Sequence, residues 1–344
     1  MKALRLVEPK NYQVVEIPEV VPDKEHVTIS VDMVGLCGSD LTMWRGTKIF
    51  GSGRIMGHEY CGTVIDPGPR EDLAVGDRVV GIPLNYCRDC FYCDHGMENL
   101  CNQTVIKGGP GVTLDGACTE KFAIVADKAF KISKEIDVRA AALVEPVANG
   151  HHAVVTRGNV QKGEKVLIIG GGIIAIVTAW WAKKAGAYVA MSEINEDRIA
   201  HLKKYNVADE IINPLEEGAM KDALARSGLG FDKVFECSHP NDQLFNNVLI
   251  PMTRKGGTII QVGSTEGILG INFFAFQYKE LTYATSWSIN EEDFICAIKA
   301  VEEAEDEFLP HITSVISMEE VQSKVEDMVG GKIRDVKVMI DPKR

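Results

Sequence analysis

The sequence predicts an α/β chain of two domains, one β-rich and barrel-like, the other a doubly wound parallel sheet. Three observations predict it. At 344 residues the chain is long for one core and suits two. Before residue 135 it runs in short alternating strands broken by Gly and Pro, with little helical period. From Lys165 onward apolar strands alternate with amphipathic helices, as parallel βαβ units require. The seams fall near Val147 and Trp287, giving residues 1–148 with 288–344 as one domain and 149–287 as the other.

In the first part, "HVTISVDMV" alternates as a half-buried strand does, "PGPREDLAVGDRVVGIP" carries turn residues, and "DGACTEKFAIV" reads as a strand after a turn. In the second, "KVLIIG", "YVAMSE", "DEIINP", "DKVFEC" and "GGTIIQVG" read as strands. Between them "IIAIVTAWWAKKAGA", "NEDRIAHLKKYNV", "GAMKDALARSG" and "NDQLFNNVLIPM" read as helices. After Trp287 the pattern gives a helix in "EEDFICAIKAVEEAE", another near "MEEVQSKVEDMVGG", and a last strand, "DVKVMID". The uncharged run from Val166 to Ala182 covers 17 residues, barely a membrane span, and its glycines split it into a buried strand and a helix start.

Charge excludes some functions. The chain has 37 Lys and Arg against 49 Asp and Glu, a net charge of −12 without a basic cluster, which argues against nucleic acid or an anionic membrane as partner. No secretory signal precedes the first strands, so a cytoplasmic location is expected. In that reducing setting nine cysteines point to metal binding or catalysis rather than disulfides. Four of them lie in "CRDCFYCDHGMENLC": Cys87, Cys90, Cys93 and Cys101. The spacing alone leaves a disulfide framework, a redox pair and a metal cage open. Cys61, Cys118, Cys237 and Cys296 stand apart and are expected as small buried fillers.

"KVLIIGGGIIAIVTAWW" sets Gly170 and Gly172 directly after a strand and before a helix. Gly170 permits the tight turn, Gly172 lets backbone approach a pyrophosphate, and the helix N-terminus offers free N–H groups. Ala175 takes the packing position of the third glycine. Glu193 follows at the end of the next strand, about 20 residues on, where a carboxylate accepts ribose hydroxyls and repels a 2′-phosphate. NAD rather than NADP is therefore expected, with Ile173, Ile174, Val262 and Gly263 beside it; Arg198 either covers the adenine or lies on its helix.

Further motifs follow in fixed order: Gly-Leu-Cys-Gly-Ser-Asp at 35–40, Gly-His-Glu at 57–59, "VGDRVVG", the four cysteines, Glu145-Pro146, the glycine turn and "KEL" at 279–281. In these the chain resembles the zinc-dependent medium-chain dehydrogenase/reductase family over nearly its whole length. The resemblance implies a GroES-like catalytic domain, with a lobe at about 86–102 where the four cysteines hold a structural Zn²⁺ in a closed tetrahedral site, and a Rossmann domain binding NAD. It implies a catalytic Zn²⁺ on Cys37, His58 and Glu145, with Glu59 bound directly or through water and Asp40 orienting His58. Ser39 would pass the alcohol proton toward solvent while a hydride goes to NAD, the product being a ketone. Many relatives carry a histidine relay residue where this chain has Thr42, so the proton route is expected to differ.

Glu145, where many alcohol dehydrogenases have a second cysteine, resembles the sorbitol-type polyol dehydrogenases. Trp287-Ser288 departs from them; "SW" is similar to galactitol-1-phosphate dehydrogenases, "GSDLTMWRG" to aminocyclitol dehydrogenases, and "RIMGHE" with Asn149 to threonine dehydrogenase. The expected substrate is a secondary alcohol with neighbouring hydroxyls, on a polyol, sugar alcohol phosphate or cyclitol, with L-threonine as the alternative. Trp44, Phe50 and Trp287 are pocket walls or plain core. A purely structural nucleotide-binding protein or a zinc-free quinone reductase would lack the Cys/His/Glu set, which is intact. By analogy the chain forms a homodimer or homotetramer.

Overall fold

A computed structural model describes residues 1–46, 52–265, 267–332 and 334–344. Phe50 lies outside the described residues. The chain divides into two compact units, Met1–Glu145 with Asn290–Arg344, and Pro146–Ile289.

The first unit is built on a seven-stranded, mostly antiparallel sheet. Its path runs Ile312–Ile316, Lys337–Ile340, His26–Leu36, Glu59–Asp66, Arg78–Gly81 and Ala129–Ile132, and Lys121–Val125 pairs the first half of His26–Leu36. A smaller sheet joins Asn11–Glu16, Lys2–Glu8 and Arg54–Ile55. The long strand His26–Leu36 is central because it is buried on both sides: Val27, Ile29, Val31 and Val34 all have no exposed surface. Its core includes Trp44, which is 7% exposed and donates through Nε1 to Gln322 Oε1 at 3.4 Å. Trp44 is thus a core residue. Trp287, in the other unit, is 59% exposed.

The second unit is a six-stranded parallel sheet, ordered Glu210–Ile212, Tyr188–Ser192, Lys165–Ile169, Phe231–Glu236, Thr253–Gln261 and Thr282–Thr285. In chain order this is 3-2-1-4-5-6, the Rossmann arrangement. The order reverses between Lys165–Ile169 and Phe231–Glu236, and it is outside the carboxyl ends of such strands that ligands bind. The uncharged run becomes the strand Lys165–Ile169 and the helix Ile173–Lys184. Among the described residues no helix is long and apolar enough to cross a membrane.

Several elements escaped the sequence pattern. The helix Phe273–Tyr278 buries none of its residues, and the edge strand Thr282–Thr285 is short and half exposed, so neither carries a readable apolar period. Ile312–Ile316 is similarly mixed. Of the isolated cysteines, Cys61 and Cys118 are buried, whereas Cys237 and Cys296 are only partly so.

Candidate metal centres and dinucleotide site

The lobe brings Cys87, Cys90, Cys93 and Cys101 together, and all nine cysteines of the chain are free thiols. Cys90 precedes the short helix Phe91–Asp94, Cys93 lies within it, and Cys101 ends the turn Glu98–Leu100. The Sγ–Sγ separations are 3.9 Å for Cys87–Cys93, 3.7 Å for Cys90–Cys93, 3.8 Å for Cys90–Cys101 and 3.5 Å for Cys87–Cys101. A tetrahedron of sulfurs about 2.3 Å from a central Zn²⁺ has edges of about 3.8 Å. A disulfide needs about 2.05 Å. The four thiols therefore fit a closed Zn²⁺ site, which would staple a loop that buries little of itself: from Cys87 to Cys101 only Cys101 is buried. The N–H of Cys93 is the main influence drawing the Cys90 thiol down to about 6, whereas Asp89 chiefly pushes Cys87 up and burial pushes Cys93 up.

A second cluster forms where the carboxyl end of His26–Leu36 meets the start of Glu59–Asp66. Ligand atoms of Cys37, His58 and Glu59 lie within 4.8 Å of one another. Gly35 pairs with Glu59 across the two strands, and a Cβ on Gly35 would sit 2.0 Å from Glu59 Oε2. The missing side chain makes room for the carboxylate. Ser39, in the helix Gly38–Trp44, places Oγ 3.3 Å from His58 Nε2. Thr42, one turn on, spends its hydroxyl on the Gly38 carbonyl at 3.2 Å.

Asp40 lies beside His58 without a hydrogen bond to it in this arrangement. Its Oδ2 accepts the Cys37 N–H at 2.9 Å, capping its own helix, while Oδ1 stands 3.9 Å from His58 Nδ1. Both Asp40 Oδ1 and His58 Nδ1 are buried without a hydrogen-bond partner among the described residues. A closure of about 1 Å would join them. Burial drives the Asp40 pKa up to about 6. Burial alone would lower His58, but Cys37 and then Asp40 outweigh it and hold the imidazole well above its ordinary range.

Sequence reasoning missed Lys337. It lies in the last strand, Lys337–Ile340, is 1% exposed, and forms a buried ion pair with Glu59. Nζ also donates to the Leu36 carbonyl at 3.0 Å. The signal was present as a lone charge in the apolar "VKVMI". Burial lowers its pKa, and Glu59, Cys37 and Glu145 together more than restore it. Glu145 stands outside the trio, in the first turn of Val144–His151, yet its charge acts on both His58 and Lys337. Three carboxylates and a thiol around one imidazole and one ammonium leave acids in excess, and the mixed S/N/O donors suit Zn²⁺.

In the second unit, Gly170 takes φ +112°, closed to other residues, and a Cβ on Gly172 would meet nothing within 4 Å. That open space is what a pyrophosphate requires. Gly172 caps the helix carrying Ile173 and Ile174. Glu193 is 6% exposed rather than solvated. Its Oε1 accepts the N–H groups of Ile194 at 2.7 Å and Asn195 at 2.9 Å, and Oε2 would lie 2.6 Å from a Cβ on Gly171. Arg198 reaches to 3.9 Å from Glu193. Val262 and Gly263 follow Thr253–Gln261 and both donate to the Glu236 carbonyl, at 2.9 and 2.8 Å. His151 and His152 are buried near the start of this unit.

A metal-suited trio in a β-rich unit and a glycine turn in a Rossmann unit define a metal- and dinucleotide-dependent oxidoreductase. Comparison with known proteins then gives the family. Residues 23–134 match the alcohol dehydrogenase GroES-like domain, and residues 174–303 match the zinc-binding dehydrogenase domain. L-Galactonate-5-dehydrogenase of Escherichia coli is 33% identical over 286 residues, covering 81% of this chain and 80% of that one. The 2-dehydro-3-deoxy-L-galactonate 5-dehydrogenase of Pseudoalteromonas atlantica is 29% identical over 334 residues, 96% of each. A zinc-binding dehydrogenase from Sinorhizobium meliloti, solved bound to NADP, superposes with a TM-score of 0.87 at 25% identity, covering 99% of both chains. The chain belongs to the zinc-binding dehydrogenases of the alcohol dehydrogenase superfamily, and is an oxidoreductase acting on CH–OH groups.

Proposed function

We propose that the protein oxidises a secondary alcohol flanked by hydroxyls, on an open-chain sugar alcohol or sugar acid, to the ketone with NAD. The observation that carries this reading is the gathering of Cys37, His58 and Glu59 within 4.8 Å, with the histidine and the glutamate buried. The two galactonate-type relatives support a polyhydroxylated substrate.

Cys37 and His58 would hold the catalytic Zn²⁺, with Glu145 or Glu59 completing the set. When bound, Zn²⁺ supplies Lewis-acid stabilisation of negative charge developing on the substrate oxygen, and NAD supplies the two-electron acceptor. Ser39 Oγ, next to His58, would take the hydroxyl proton and pass it to water. Thr42 donates to the Gly38 carbonyl, and its hydroxyl would have to turn from that partner to extend the relay. Lys337 holds Glu59 by ion pairing. Glu193, held at the end of its strand against Gly171, supports NAD over NADP although the S. meliloti protein binds NADP. The second metal would brace the lobe through the four cysteines. A cytoplasmic homo-oligomer acting on a small molecule, with no nucleic acid or membrane partner, completes the reading.

The test is reduced-nucleotide formation from polyols, polyol phosphates, sugar acids, cyclitols and L-threonine, with NAD and with NADP, before and after chelation. Turnover of a polyol or sugar acid with NAD, lost on chelation and restored by Zn²⁺, is expected. Turnover that survives complete metal removal would sink it.

A further inference from the structure

At the point where the strand order of the parallel sheet reverses sits a fully buried carboxylate, Glu236. It ends the strand Phe231–Glu236, in register with Ile169 on one side and Gln261 on the other. Ile169 immediately precedes Gly170, and Gln261 immediately precedes Val262 and Gly263. Glu236 is therefore flanked by the two strand ends that lead into the proposed cofactor residues.

Its contacts tie those ends together. Oε1 accepts the Ser238 N–H at 2.7 Å and the Ser238 hydroxyl at 2.5 Å, and Oε2 accepts Gln261 Nε2 at 2.8 Å. The same Gln261 amide donates to the Gly263 carbonyl at 2.5 Å. Gly263 packs so closely that a Cβ there would lie 2.0 Å from the Ser238 carbonyl oxygen and 2.8 Å from Glu236 Oε2. On the other side, Cys237 N–H donates to Ile169 O at 3.0 Å, and Cys237 O would stand 3.4 Å from a Cβ on Gly170. The turn 237–238 is thus wedged between the phosphate-binding turn and the Val262–Gly263 turn. Three donors converge on one side chain, and only an ionised carboxylate accepts all three without presenting a hydrogen of its own. Burial raises the Glu236 pKa, and the Ser238 and Gln261 donors oppose that rise.

We infer that Glu236 is a positioning residue for the dinucleotide, locking the turns at 170–172, 237–238 and 262–263 into a preformed cradle. The inference rests on the cofactor reading given above. Prepositioned turns bind a ligand without the cost of ordering them, so loosening them weakens cofactor affinity more than turnover at saturation.

The experiment titrates NADH into the full-length zinc-loaded protein, followed by fluorescence, with KM for NAD, kcat and Tm measured alongside. In Glu236→Gln the amide must direct N–H groups at Ser238 or Gln261. NADH Kd and NAD KM are expected to rise about tenfold, with kcat at saturating NAD within about threefold. Ser238→Ala removes one donor without disturbing the core and should raise Kd about threefold. A merely structural residue would lower Tm and leave Kd of the folded protein unchanged, and that result, or unaltered Kd in Ser238→Ala, overturns the inference. Failure of the native protein to bind NADH or NADPH would defeat the cofactor reading itself, and the inference with it.

Discussion

The two cysteine-containing clusters of the first unit are built on opposite plans. In the lobe, four like donors stand at the corners of a tetrahedron, with four of its edges between 3.5 and 3.9 Å, and three of the four side chains are only partly buried. Around Cys37 the donors differ in kind, His58 and Glu59 are buried, and a cation, Lys337, already occupies one carboxylate. A closed set of identical ligands leaves no position for a reactant and stores its value as folding energy. The mixed set is incomplete and charged, which costs stability and leaves room for chemistry. The difference separates a brace from a reactor, and each of the following substitutions presses on it.

The largest expected effect is on turnover. Cys37→Ser should lower kcat/KM by about 10⁴-fold or more, with Tm within a few degrees of native. Cys93→Ser should do the reverse: it loses the lobe metal and about 4 kcal/mol of stability, while the folded fraction keeps near-native kcat. Metal content by mass spectrometry, paired with denaturant titration, checks both. Equal loss of activity in the two variants would erase the distinction.

Lys337→Met comes next. Removing one partner of a buried ion pair leaves the Glu59 carboxylate uncompensated, a loss of about 3 kcal/mol in the metal-free protein. A Zn²⁺ held by Cys37 and His58 would replace the missing positive charge within reach of Glu59. The zinc-loaded variant should therefore lose clearly less stability than the metal-free one, as read from Tm of each form against native. Identical losses would mean that Glu59 does not feel the metal.

The sequence carried much of this and not all of it. The Rossmann unit was legible because its glycine turn, its apolar strands and Glu193 fall in one order at one spacing, each required by local geometry. The four thiols were legible as a cluster, though their spacing alone did not distinguish a cage from disulfides; the sulfur separations of 3.5–3.9 Å do. The pairings of Lys337 and Glu236 were not legible. Their partners lie 278 and 25 residues away, at Glu59 and Gln261, and pairing across strands leaves no periodic trace. The burial of Glu193 against Gly171 is a tertiary outcome that no local pattern encodes.

The smallest effect concerns how the lobe is seated. Arg88, between the first two thiols, holds φ +64° and pairs with Asp127 at 2.8 Å and Glu291 at 2.7 Å. Both pairs are partly exposed, so together they contribute on the order of 1 kcal/mol. The left-handed backbone costs a non-glycine residue about the same. Arg88→Ala loses the pairs and keeps the strain; Arg88→Gly loses the pairs and relieves it. The glycine variant should therefore be more stable than the alanine variant by about 1 kcal/mol and close to native, with kcat unchanged in both. If alanine and glycine are equivalent, the backbone at 88 is not strained. If both are strongly destabilised, the ion pairs do far more to seat the lobe than exposed pairs ordinarily can, and the brace would depend on its charged footing as much as on its metal.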